Sequence, residues 1–397
     1  MRMWKRSDRY HHFSIDYATF MEKKIRNLRI IEIIYILAAI IIPTQKCLLH
    51  HYNNFKIYQN SSFHFFGRTN LYSEYPDKYF DVFLYNPSFA VLFAPIAYLP
   101  TMVGIYVWVF FVIAVYYFSV RLLQFDFKTK LFIYGFTFLE LVTSLENLQT
   151  NPLIASFILF TFIFLENEKI FKASAFPNLG FFIKGYGAIS GILFILKRPK
   201  FKNFLYLFFW FIIILCLPLI YYSPAGLVNL YKDWKLSLFS EHKMNTGISV
   251  MKLIISIFRL NMPVIWLQLI GLLFFISTAV IIFFRKNYEQ VKGIFLPYLM
   301  IWVIIFNHDA ESATYIIAVT GVAIWYVNSP RSLIDKILLV ITFLLTVLSP
   351  TDIFPDILYK KYVLPFALKA LGPSLIFLRI QFSLYSPQSN LQKNDQG

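Results

Sequence analysis

Carboxylates are scarce in this chain. Its 397 residues hold 21 Asp and Glu against 37 Lys and Arg, and charged residues together make up only 15%. Soluble domains carry about a quarter. So little charge cannot cover a chain that is 58% hydrophobic and 20% aromatic, which excludes an ordinary soluble fold. Only two cysteines occur, Cys47 and Cys216, each in or beside a separate apolar run, so no disulfide framework is indicated. Standard phosphate-loop, dinucleotide-binding and HExxH, GxSxG or CxxC patterns are missing, so no cofactor and no metal are expected.

What is present are apolar runs, recurring from Leu28 to Arg379. They predict an all-α polytopic membrane protein with about ten to twelve crossings. Candidate spans are Leu28–Leu49, Pro87–Leu99, Met102–Leu123, Leu131–Leu145, Pro152–Leu165, Ile170–Leu196, Phe204–Tyr222, Val264–Phe284, Ile294–Phe306, Ala310–Val327, Ile334–Leu348 and Tyr362–Leu378. Three parts follow: a cytoplasmic amphipathic segment over 1–27, one membrane domain over 28–380, and a polar tail over 381–397. The net charge of +16 fits basic cytoplasmic loops better than nucleic-acid binding. On this rule Lys197–Lys202, Arg285-Lys286 and Arg331 are cytoplasmic, while the long segments 50–86 and 222–261 lie outside. Both long segments mix aromatic and polar residues, as helices lying in the headgroup layer do.

Between 87 and 196 the parity is open. Pro87–Leu99 is either a full crossing or re-entrant. In the second case Ile170–Leu196, interrupted by Pro177, Gly180, Lys184, Gly185 and Gly187, returns on itself, and the charges slightly favour that count.

Polar residues inside apolar runs are the informative ones. Lys184 in Gly180-Phe-Phe-Ile-Lys184-Gly-Tyr-Gly needs a partner or a wet cavity, and suits an anion such as a lipid phosphate. Snorkelling is the structural alternative. Glu140, Ser144, Asn147 and Asn151 share one helical face, as a site or as interhelical glue. His308, Asp309 and Glu311 cluster in a turn between two spans, offering an acid or base, although their spacing matches no recognised metal motif.

Four blocks resemble glycosyltransferase family 87, multispan enzymes of the GT-C type. They are Tyr85-Asn-Pro87 running to Pro95 and Pro100, Leu148-Gln149-Thr-Asn151-Pro152 with Leu148 in place of a glycine, Gly180-Phe-Phe-Ile-Lys184, and the turn from His308 to Tyr315. The match runs from about Asn53 to Trp325. The resemblance implies transfer of a hexose, commonly mannose, from a polyprenyl-phosphate-sugar donor. The acceptor would be a glycolipid or glycan on the non-cytoplasmic face, in a bacterial plasma membrane. It also implies seven spans before the second long loop, which favours Pro87–Leu99 as a crossing and sets Gln149 and Asn151 on the wrong side for the reaction. One departure stands out. Asn53-Asn54-Phe-Lys-Ile-Tyr58 matches a stretch where the family has an aspartate, and asparagine cannot take a proton as a carboxylate does.

The expected site therefore has Asp81 as first choice of base, with Asp309 or Glu311 second. Lys184 and His308 would stabilise the departing phosphate, and Asn54, Tyr85, Gln149 and Asn151 would bind substrate. Membrane lipids are the other expected partners, and nucleic acid is not one. The competing readings are a secondary transporter or lipid flippase, and a noncatalytic member of a glycan assembly complex.

Overall fold

The computed structural model describes residues 29–197, 199–240, 246–285 and 288–385, so the segment expected over 1–27 lies outside the described residues, as does the tail from 386. Every regular element among the described residues is helical. Four helices are long and apolar enough to cross a membrane: α1 (Arg29–Leu48), α4 (Thr101–Arg121), α12 (Val264–Phe284) and α13 (Tyr288–Ile305). The other longer elements are α2 (Asn53–Phe66), α3 (Pro87–Ala97), α5 (Phe127–Glu146), α6 (Asn151–Glu166), α7 (Ile170–Ile183), α8 (Gly185–Lys197), α9 (Phe201–Leu215), α10 (Pro224–Ser240), α11 (Val250–Phe258), α14 (Ser312–Asn328), α15 (Leu333–Thr342) and α16 (Leu371–Tyr385), with short helical turns at Leu217–Ile220, Asp356–Leu358, Tyr359–Val363 and Leu368–Ala370.

Contacts at the helix ends fix the direction of each pass. Tyr117 and Arg121, late in α4, reach Glu32 near the start of α1 at 2.7 and 3.5 Å. Thr44 and Tyr106, near the opposite ends, meet at 2.6 Å. α1 and α4 are therefore antiparallel, and residues 49–100 stay at one end of the bundle, here termed the loop end. This corrects the resemblance-based expectation that Pro87–Leu99 crosses. α3 has 11 residues, about 16 Å of helix, half of a hydrocarbon layer. The Asn86 side chain caps it by accepting from Ser88 N at 2.9 Å, and it packs on α2 and, through Ser88 Oγ to Ile214 O (2.6 Å), on α9.

The remaining passes alternate. α5 rises from the basic end, where Lys130 Nζ donates to Arg121 O (2.7 Å), to the loop end, where Asn54 Nδ2 donates to Asn147 O (2.7 Å). α6 descends to Glu166, which pairs with Lys197 at 2.7 Å and with Lys292. α7 and α8 form a returning hairpin whose tip, Lys184, reaches back to the loop end. α9 rises, α10 and α11 lie across the loop end, and α12 to α14 descend, rise and descend. α15 rises, continuing as a π turn over Phe343–Leu348, and α16 descends to Tyr385. Seven passes (α1 and α4 to α9) precede the second long loop. The hairpin limbs stand in this series where the resemblance placed α3, and of the seven only α1 and α4 are long and apolar enough to cross a membrane.

Two close approaches shape the hairpin. A Cβ on Gly187 would lie 2.5 Å from the Gly180 carbonyl carbon, and one on Gly180 would lie 2.8 Å from Gly187 O. The two limbs cross at this glycine pair, which brings Lys184 to the tip. α9 packs on α7 through Asn178 Nδ2 to Leu207 O (3.0 Å), and turns Phe204, Leu205, Phe208 and Phe209 outward. With 15 residues it is short for a crossing.

Candidate active site at the loop end

The turn joining α5 to α6 supplies the floor of the site. Leu148 adopts φ +51°, the left-handed conformation that favours glycine, and it stands where the family block has one. Its strain is held by burial and by Trp108 Nε1, which donates to Leu148 O at 3.1 Å. The turn directs Gln149 and Asn151 toward the hairpin tip.

There Lys184 Nζ donates to Gln149 Oε1 (3.1 Å) and to Asn151 Oδ1 (3.0 Å), and Tyr186 OH donates to Asn151 Oδ1 (3.0 Å). Gln149 Nε2 in turn donates to Glu311 Oε2 at 3.2 Å. A cation and a carboxylate are thereby held one amide apart. Glu311 also caps the short turn that opens α14, its carboxylate accepting from the Thr314 backbone. A carboxylate has about four lone-pair sites, so two donors leave room for a substrate hydroxyl. Glu311 is exposed and Lys184 half-buried, and both are reachable at the loop end.

The first long loop closes the same region. Asn54 bonds the α5–α6 turn, Tyr58 and Tyr85 hydroxyls meet at 2.9 Å, and Tyr85 OH lies 3.4 Å from Thr150 Oγ1. Gln149 and Asn151 thus share an end with the first loop, which corrects their expected placement on the opposite side.

Of the expected residues, Lys184, Gln149, Asn151 and Glu311 form one hydrogen-bonded cluster, with Tyr85 and Asn54 at its edge. Asp81 sits elsewhere. It adopts φ +82°, accepts from its own Val82 N at 2.8 Å, and lines a separate cavity with Glu74 and Tyr75. His308 is oriented within its own turn, Nε2 facing Asp309 Oδ2 at 3.1 Å and Nδ1 facing Gln268 Nε2 at 2.9 Å. Asp309 is exposed beside it.

Three participants escaped the sequence reading. Tyr58 and Tyr186 stand in stretches already singled out, near Asn54 and Lys184, but nothing in the sequence marks their hydroxyls as part of the cluster. Lys369 is the partner of Glu140. Its Nζ lies 2.6 Å from Glu140 Oε1 and 2.9 Å from Ser312 Oγ, next to Glu311. The polar stripe of α5 thus divides. Asn147 joins the first loop through its carbonyl, Glu140 ties α5 to the turn under the site, and Ser144 Oγ and Glu140 Oε2 are buried without partners among the described residues.

A family model described as glycosyltransferase family 87 matches residues 83–306, more than half of the chain. No curated protein and no solved structure gives a significant match. The matched stretch takes in α3, the α5–α6 turn, the Lys184 hairpin and the second long loop, and it ends at the foot of the His308 turn. The chain belongs to glycosyltransferase family 87, and is on that ground a membrane glycosyltransferase.

Proposed function

We propose that the protein transfers a hexose, mannose in the first instance, from a polyprenyl-phosphate sugar to a glycolipid or glycan acceptor. The reaction runs at the loop end, which faces away from the cytoplasm, because Arg121, Lys130, Lys197, Lys292 and Arg331 gather at the opposite end. The observation that carries the reading is the Lys184–Gln149–Glu311 chain of hydrogen bonds.

In the step proposed, Glu311 accepts the proton of the acceptor hydroxyl. The hydroxyl oxygen attacks the anomeric carbon from the face opposite the phosphate, and the bond from that carbon to the phosphate oxygen breaks. The configuration inverts. The carrier phosphate leaves with one more negative charge than it had in the donor, and the Lys184 ammonium lies where that charge develops. Gln149 and Asn151 hold Lys184 by their carbonyl oxygens, so its ammonium is fixed before the reaction begins. Glu311 takes precedence over Asp81 as base because it is bonded into the cluster of Lys184.

The test is transfer of radiolabelled sugar from polyprenyl phosphate in vesicles holding the purified protein. Glu311→Gln and Lys184→Met should each lower transfer by at least about 100-fold with thermal stability preserved. Full activity in Glu311→Gln, with loss in Asp81→Asn, would return the base to Asp81. Wild-type protein inactive with every polyprenyl-phosphate sugar would refute the donor class.

A further inference from the structure

The first long loop carries a cavity of about 340 Å³, lined by Glu74, Tyr75, Tyr79, Phe80 and Asp81 among others. Its walls are fixed from below. Asn53, at the start of α2, clamps the Phe80 backbone in both directions, Nδ2 to Phe80 O at 2.6 Å and Phe80 N to Oδ1 at 2.8 Å. The next residue, Asp81, is forced to φ +82°, a conformation that non-glycine residues adopt only under constraint. The Tyr75 hydroxyl donates to Asn70 O at 2.6 Å, and its ring packs at a tilt against His64, the centroids 3.9 Å apart.

On this rigid frame Phe80 is 85% exposed, whereas Phe83 three residues on is fully buried. A flat apolar ring held out on constrained backbone is a stacking platform. Two carboxylates, Glu74 and Asp81, share the cavity with it. The Tyr79 hydroxyl in the same wall is buried with no hydrogen-bond partner among the described residues. The neighbouring cation, Lys78, is engaged by the wall itself, its Nζ 3.2 Å from His64 Nε2 and 5.4 Å from the ring centre of Tyr75.

Charge decides what fits. A cavity with two carboxylates repels a phosphate or an anionic headgroup, so neither the donor's phosphate nor an acidic lipid belongs there. A neutral polyol does. Its hydroxyls donate to carboxylates, and the C–H face of a pyranose lies against an aromatic ring. We propose that this cavity is a saccharide subsite, which holds a neutral pyranose unit of the acceptor while Lys184 holds the phosphate of the donor. The proposal rests on the transferase reading above. The two sites are joined by consecutive residues: Asn53 clamps the Phe80 corner, and Asn54 bonds Asn147 O at the α5–α6 turn.

The experiment is saturation-transfer NMR on the full-length protein in nanodiscs, with methyl α-D-mannopyranoside and methyl β-D-glucopyranoside as probes. The expected result is saturable binding of at least one probe. Phe80→Ala should weaken it about tenfold, the Glu74→Gln/Asp81→Asn pair should weaken it likewise, and Lys184→Met should leave it at the wild-type value. Phe80 is exposed, so its replacement does not threaten the fold. Binding lost in Lys184→Met and kept in Phe80→Ala overturns the proposal by moving the saccharide to the catalytic cluster. Binding of neither probe overturns it as well. So does quenching of a Phe80→Trp variant by brominated lipid, which would make residue 80 a bilayer anchor. The transferase reading fails separately: the donor assay stays blank while the saccharide signal and its Phe80 dependence persist.

Discussion

Glu140 and Lys369 offer the sharpest test of how the site is held. Glu140 is 0% and Lys369 2% exposed, and their contact is 2.6 Å. Lys369 also donates to Ser312 Oγ, and its ammonium lies 5.2 Å from the Tyr315 ring centre. Removing either partner leaves the other charge buried and unpaired, which costs about 3–5 kcal/mol. Replacing both by neutral side chains of similar size removes that penalty. Lys369→Met and Glu140→Gln should therefore each destabilise strongly, and the double variant should cost less than either alone. The assay is a double-mutant cycle on unfolding in mixed micelles at one fixed lipid composition. A coupling energy below about 0.5 kcal/mol, the range in which distant sites add, would refute the reasoning. The same variants carry a functional readout. Ser312 follows Glu311, so freeing Ser312 should lower kcat for transfer in the double variant even where stability has recovered. Unchanged kcat would confine the pair to a structural role.

Two other outcomes follow from local geometry. Gly187→Ala places a methyl 2.5 Å from the Gly180 backbone, so the hairpin limbs must part and Lys184 must shift; transfer should fall far more than in Gly191→Ala, where the added methyl meets only Pro177 Cβ at 3.9 Å. Equal activity of the two variants would break the link between the glycine crossing and the tip. Burial of His64, with Lys78 beside it, lowers its pKa from the usual 6.5 to about 4. The folded loop thus favours the neutral ring, and stability falls as pH drops from about 6.5 toward 4. A His64→Gln variant should show less of this acid sensitivity in amide exchange of the first loop, and an unchanged profile would exclude His64 as its source.

Much of the architecture was legible because a bilayer leaves few options. Apolar runs marked the passes, and Lys184, Gln149 and Asn151 stood out as polar groups that lipid does not tolerate alone. The α3 segment misled because the family likeness implies seven spans before the second long loop and α3 was counted among them, whereas the loop charges slightly favour a segment that does not cross. Lys369 was invisible for a different reason. It lies inside the span expected over Tyr362–Leu378 and is passed over there, and at 229 residues from Glu140 no periodicity connects the two. Tyr58 and Tyr186 lay within quoted stretches, but only the fold turns their hydroxyls toward Tyr85 and Asn151. Glu311 and Asp81 were both named, and that Glu311 meets Lys184 through Gln149 is a tertiary fact that pattern alone does not carry.

The shortness of α9 has a consequence for the surrounding lipid. Fifteen helical residues cover about 22 Å, against a hydrocarbon thickness of about 30 Å. The difference is made up locally. Lys202 is exposed at the start of the helix, where its ammonium reaches the headgroups, and the 3₁₀ turn Leu217–Ile220 continues the apolar flank with exposed Leu219 and Ile220. At about 2 Å per residue that turn adds about 8 Å, which brings the pass to the full hydrocarbon height, so the α9 flank holds the bilayer at its ordinary thickness beside the hairpin.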